Sequence, residues 1–240
     1  EMVKYNHEFS PDEKVRIGHL GCGDHSYRNI LPALRYLPVE LVAVCDFDAQ
    51  RAEAFARQFG AGSACTDYAA MLGEYELDAV IIVTGHGDEG VTHAARTIEA
   101  LDAGCHVFME KPPANSVAEV RQVQAAEERT GTFAMVGFKK IFFPAIARAR
   151  DISQKEEFGQ ISSIYARYPQ QLPKSAQQRQ EASAMRSFLD HIVHPGSILH
   201  AIGGEMESVR FSIGRNGGSV STIRFASGAI GNLHLVGGMG

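Results

Sequence analysis

The chain has 240 residues, 45% of them apolar and 21% charged, and a formal net charge of −5. That composition excludes a disordered or fibrous chain and allows one large core or two smaller ones. The negative charge, with no basic run longer than Lys139-Lys140, argues against a nucleic-acid partner. No stretch approaches the roughly 18 apolar residues of a membrane span. The first fourteen residues lack the apolar core of a signal peptide. Cys22, Cys45, Cys65 and Cys105 show no C-x-x-C spacing and read as reduced thiols, which fits the cytoplasm. A chain that opens on Glu1 and stops on Gly240 just after a strand is expected to be an incomplete polypeptide.

In chain order, the run Val15-Arg16-Ile17-Gly18-His19-Leu20 predicts a strand, broken by Gly21-Cys22-Gly23-Asp24-His25-Ser26. This is the pattern of a dinucleotide site. Gly21 permits a tight turn, Gly23 removes a Cβ from the path of the pyrophosphate, and the next helix offers free N–H groups. Ser26 stands where a third glycine is usual and is small enough for close helix packing. A second strand, Glu40 to Cys45, ends at Asp46, placed to accept hydrogen bonds from the adenosine ribose. A carboxylate there repels a 2′-phosphate, so NAD is favoured, with Arg51 the reason NADP is not excluded. Alternatively the glycines form a plain turn and Asp46 caps the helix Asp48 to Phe59.

A helical turn Tyr68 to Leu72 follows, then a strand Leu77 to Val83 and a glycine-rich loop from Thr84 to His93. Next come a helix from about Val91 to Ala103, a strand His106 to Met109, and a helical face on Val117, Val120, Val123 and Ala126. The strand Phe133 to Val136 closes a series of βα units suited to a parallel sheet. Residues 1–136 therefore predict a doubly wound Rossmann domain, and residues 137–240 an α+β domain with an open, mainly antiparallel sheet. In the second part we expect a helix Pro144 to Lys155, a strand Ile161 to Tyr168 and a mobile glutamine-rich loop from Gln170 to Gln180. A helix near 190–202 and strands Ser208 to Ile213, Val220 to Phe225 and Ala229 to Val236 follow.

Glu110-Lys111-Pro112-Pro113 follows a strand at the carboxyl edge of the parallel sheet, where such folds gather ligands. Asp190 and His194 are four apart, on one face if helical, although Pro195 is tolerated only if the helix begins about one turn earlier. His191 is a competing imidazole. Candidate cofactor contacts are Gly21, Gly23, Asp24, His25, Asp46, Thr84, His93, Glu110 and Lys111. Strand alternation puts Ser163, Tyr165 and Arg167 on one face, either to bind polyols or as a solvated or subunit-facing side. No convincing set of metal ligands appears.

Taken together, these segments resemble the glucose-fructose oxidoreductase and inositol dehydrogenase family, Gfo/Idh/MocA. The resemblance is carried by Gly21-Cys22-Gly23, Ala43-Val44-Cys45-Asp46, Ala103 through Pro112, Val136-Gly137-Phe138 with Pro144, Asp190 through His194, and Ile223 through Ala229. It implies a Rossmann domain joined to an open-sheet domain for substrate binding and oligomer contact, in a homodimer or homotetramer. It matches Lys111, Asp190 and His194 to a catalytic lysine, aspartate and histidine. The implied reaction is hydride transfer between a nicotinamide and a hydroxyl-bearing carbon of a sugar, sugar derivative or cyclitol. Ser197 replaces an acid that many relatives carry, and Ile141 replaces an arginine near Lys139 and Lys140, so substrate preference is not transferable. Lys139, Tyr165, Arg167, His191 and Ser197 are secondary substrate candidates. NAD-dependent glycoside cleavage and a redox-silent dinucleotide sensor remain the rival readings.

Overall fold

The structure, a computed structural model, describes residues 14–85, 93–173, 175–215 and 218–236. Residues 86–92 of the glycine-rich loop expected between Thr84 and His93 lie outside the described residues. Contacts divide the chain into two compact units, Glu1–Gly137 and Phe138–Gly240.

The first unit is built on β1 (Val15–Leu20), β2 (Val39–Cys45), β3 (Ser63–Cys65), β4 (Ala79–Ile82), β5 (His106–Met109) and β6 (Ala134–Val136). They form one parallel sheet in the order β3-β2-β1-β4-β5-β6, as in a doubly wound fold. The helices are α1 (Leu31–Leu34), entered through a π turn at Ser26–Ile30, α2 (Ala49–Phe59), α3 (Tyr68–Glu74), α4 (His93–Asp102) and α5 (Val117–Thr130). Asp48, Asp67 and Ser116 cap α2, α3 and α5 by accepting backbone N–H groups. Both sheet faces are covered. Val80, Ile82, Val107 and Met109 pack with Leu101, Val123 and Ala126 on one side, while Val44 packs with Leu31 and Phe55 on the other.

The second unit contains α6 (Pro144–Ser153), β7 (Ser163–Tyr168), α7 (Ala182–Gly203), β8 (Met206–Ile213), β9 (Ser219–Phe225) and β10 (Ile230–Leu235). Its sheet runs β7-β10-β9-β8, with one parallel pair, β10 and β7, and two antiparallel pairs. Ile164, Ala166, Ile223, Phe225, Leu233 and Leu235 face Phe188, Ile192 and Leu199 of α7. The other face carries Tyr165, Thr222 and Arg224 in solvent.

Two expectations need correction. The helix around Asp190 begins at Ala182, and Pro195 lies well inside it. An interior proline removes one backbone bond and costs about 3 kcal/mol. The apolar stripe Phe188, Ile192 and Leu199 offsets this by burial against the sheet. The segment Gln170 to Gln180 is not a bare loop: Leu172 is buried, and Gln178–Gln180 forms a 3₁₀ turn.

Candidate functional site

Gly21 has φ +99°, and a Cβ there would lie 2.1 Å from the Val83 carbonyl oxygen, so only glycine makes this turn. Gly21 N–H donates to Cys45 O at 2.8 Å, joining the turn to the end of β2. A Cβ on Gly23 would meet nothing within 4 Å. Gly23 therefore borders open space, and it lines a cleft of about 890 Å³ together with Gly21, Asp46, Phe47, Arg51, Thr84 and Arg96.

Asp46 is buried, and its carboxylate serves the backbone. Oδ2 accepts the Cys22 N–H at 2.7 Å and Oδ1 accepts the Asp48 N–H at 3.0 Å. The cap of α2 is Asp48, which accepts the Arg51 N–H at 3.1 Å, so Asp46 is not the cap. The Arg51 guanidinium lies 3.7 Å from Asp46 Oδ1 and 3.6 Å from Asp48 Oδ2, above the Phe47 ring. Thr84 Oγ1 is buried with no hydrogen-bond partner among the described residues. An open cradle at Gly23, a carboxylate at the strand end and an orphaned hydroxyl in one cleft fit a dinucleotide. Burial, reinforced by Asp46, pushes the Cys22 thiol up to about 12, so it adds no negative charge beside a diphosphate.

At the carboxyl end of β5, Glu110 is buried. Its Oε1 lies 3.1 Å from His25 Nε2, and its Oε2 accepts the Lys111 N–H at 3.2 Å. Asn29 Nδ2 meets His25 Nδ1 at 3.1 Å, so the first turn after the glycines is tied to the strand bearing Lys111. A Cβ on Gly137 would lie 3.1 Å from Glu110 Oε1, which explains a glycine there. The Lys111-Pro112 peptide is cis. The buried His93 ring spans Thr84 O (3.0 Å) and Pro112 O (2.8 Å), linking the end of β4 to the Lys111 turn. Asp24 faces solvent and pairs with Arg28 at 2.9 Å.

In the second unit Asp190, His191 and His194 share α7. His191 Nδ1 donates to Ser187 O at 2.7 Å and lies 3.7 Å from Asp190 Oδ2. The His194 ring is buried, 6.4 Å from that of His191. Ser197 Oγ donates back to His194 O at 2.9 Å. Lys139 is exposed, whereas Lys140 Nζ reaches Tyr168 Oη at 3.1 Å and sits 4.6 Å from the ring centre. Sequence reasoning noted Lys140 only as nearby charge, because the partner on β7 is 28 residues away. Tyr165 is 68% exposed, its hydroxyl 3.4 Å from His234 Nδ1, and Arg167 shares that open face. Sequence reasoning also passed over His19, although a histidine inside an apolar strand is a visible irregularity. Among the described residues no group of three or more metal-ligating side chains is assembled, and no helix is long and apolar enough to cross a membrane.

Residues 15–138 match the family model GFO_IDH_MocA, described as an oxidoreductase family with an NAD-binding Rossmann fold. The chain belongs to this family. This GFO_IDH_MocA member is 31% identical over 162 residues to a D-xylose 1-dehydrogenase (NADP(+)) of Haloferax volcanii, covering 68% of this chain and 48% of the relative. It is 25% identical over 189 residues to the inositol 2-dehydrogenase of Salmonella typhimurium, covering 78% and 54%. The crystal structure of a dehydrogenase from Chromobacterium violaceum superposes with a TM-score of 0.81 at 26% identity, covering 93% of this chain and 66% of that one. The GFO_IDH_MocA chain spans about half the length of these two curated relatives.

Proposed function

We propose that the protein is an NAD-dependent dehydrogenase acting on a hydroxyl-bearing carbon of a sugar, sugar derivative or cyclitol. The observation that carries this reading is confined to the first unit. One parallel sheet presents the open Gly23 cradle and buried Asp46 at one cleft, and Lys111 at the carboxyl end of β5. The curated relatives act on xylose and inositol by name, which supports the substrate class.

In this reading Gly21, Gly23, Asp46 and Thr84 hold the dinucleotide, and the bound nicotinamide supplies the hydride acceptor. His194 takes the hydroxyl proton as general base, a task suited to an imidazole. The Lys111 ammonium donates a hydrogen bond to the reacting oxygen and stabilises its developing negative charge. Glu110, through the Lys111 N–H, and His93, through Pro112 O, set the backbone from which that lysine extends. Asp190 orients the imidazole or a neighbouring substrate hydroxyl. NAD is the preferred cofactor because Asp46 disfavours a 2′-phosphate, and Arg51 is the group through which NADP would be accepted. The open sheet face supports a homodimer or homotetramer, and four free thiols support a reducing cytoplasm.

The test is NADH formation with a panel of aldoses, uronates, amino sugars and inositols. Turnover that disappears in both Lys111→Ala and His194→Ala supports the assignment. Turnover that survives in either variant removes that residue's role, and tight NAD binding without turnover on any substrate would favour a sensor.

A further inference from the structure

The peptide plane between Gly21 and Cys22 is held at both ends. Its N–H donates to Asp46 Oδ2 at 2.7 Å, and its carbonyl accepts from Ser26 Oγ at 2.6 Å. A third side chain reaches the same place: His19 Nε2 lies 3.0 Å from Gly21 O and 3.0 Å from Ser26 Oγ. A carbonyl oxygen only accepts, so Nε2 carries the proton and the ring is the Nε2–H tautomer. His19 and Ser26 are both fully buried.

His19 is an expensive residue at its position. Its Nδ1 is buried with no hydrogen-bond partner among the described residues. Burial drives its pKa down to about 4, leaving a neutral ring at physiological pH. Leucine or valine at this point of β1 would leave no polar atom unsatisfied. The contacts that the ring does make are with the glycine turn. Ser26 is unusual in the same direction, because the glycine ordinary at its place has no hydroxyl with which to hold the Gly21 carbonyl.

We propose that His19 and Ser26 are positioning residues of the dinucleotide site, fixing the Gly21-Cys22 peptide so that the turn is set for a diphosphate before the ligand arrives. A turn fixed in advance loses less conformational freedom on binding, and that difference appears as affinity. The effect belongs to the diphosphate, since the ribose is assigned to Asp46 on a different strand. The inference rests on the dinucleotide reading of this cleft.

The experiment titrates wild type, Ser26→Ala, Ser26→Gly, His19→Leu and His19→Gln with ADP and with adenosine, and records the melting temperature of each protein without ligand. Loss of one neutral hydrogen bond predicts about fivefold weaker ADP binding in Ser26→Ala, Ser26→Gly and His19→Leu. Adenosine affinity stays unchanged. His19→Gln, which retains an N–H near the Nε2 position, recovers part of the loss. His19→Leu melts no lower than wild type, because it removes the unsatisfied Nδ1. Unchanged ADP affinity in folded variants overturns the proposal, as does equal weakening of ADP and adenosine, which would mark a merely structural role. Ser26→Gly keeps the test decisive if a bulkier replacement fails to fold. Wild type that binds neither ligand overturns the dinucleotide reading itself, an outcome distinct from variants that bind as wild type does.

Discussion

The two sheets of this molecule solve opposite packing problems. In the first unit helices cover both faces, so β2 and β4 are apolar at nearly every position and alternation is almost erased. In the second, β9 and β10 alternate strictly between buried and accessible residues because α7 covers one face only. A sheet buried on both faces leaves its strand ends and turns for chemistry, and there lie Gly21, Asp46 and Lys111. An open sheet leaves a whole face for ligands or another subunit, and its best-placed titratable groups sit on the covering helix.

The sharpest way to break this division is through the proposed catalytic pair. His194→Ala should lower kcat by about 10² to 10⁴-fold while NAD affinity holds, since the proposed base belongs to the second unit and the proposed cofactor contacts to the first. Lys111→Ala should produce a loss of the same order. Loss of NAD binding in folded His194→Ala would show that His194 serves cofactor binding and not the proposed proton transfer alone.

Core substitutions sharpen the contrast between the two faces of the open sheet. Phe225→Ala should cost about 3 to 5 kcal/mol in chemical denaturation. The ring is fully buried, and Cβ atoms on Gly203 and Gly231 would lie 2.6 and 2.7 Å from it. Thr222→Ala, on the accessible face of the same strand, should change stability by no more than about 0.5 kcal/mol. Equal costs would show that the open face is covered in solution.

In the first unit, His19 should make stability depend on pH. Above its ordinary value of 6.5 the ring is neutral in both folded and unfolded chains and contributes no slope. Between 6.5 and about 4 the unfolded chain gains a proton that the native state refuses, so stability falls as pH falls. By pH 4 the loss should reach about 3 kcal/mol, and it should vanish in His19→Leu when both proteins are denatured across that range. An identical pH profile for the two proteins would show that the ring is not held neutral.

The smallest expected effect concerns cofactor choice. Arg51→Ala should weaken NADP about tenfold more than NAD, because the guanidinium is the cation available beside Asp46. Dissociation constants for both cofactors would test this, and parallel changes would remove Arg51 from that role.

Much of the first unit was legible because its constraints are local. Gly21 needs positive φ, and the alternation of strands with helical runs needs only neighbouring residues. The second unit was less legible around α7. Local rules tolerate Pro195 only within about a turn of the helix start, near residue 190, whereas the packing of Phe188, Ile192 and Leu199 on a sheet made from residues before and after the helix carries the helix from Ala182. The anchoring of Lys140 on Tyr168, and of His25 on Glu110, joins residues 28 and 85 positions apart, beyond the reach of any spacing rule.

By itself the sequence determined the order of strands and helices except the short edge strand β3, together with the glycine turn after β1 and the acid at the end of β2, because periodicity, φ and the absence of a Cβ act within a few residues. Only the tertiary structure decided how those groups are used. Asp46 holds the Cys22 and Asp48 N–H groups and leaves the helix cap to Asp48, while His19 and Ser26 meet on the Gly21 carbonyl. These choices belong to folding because a buried polar atom must find a partner wherever the chain brings one, and that place depends on how distant segments pack.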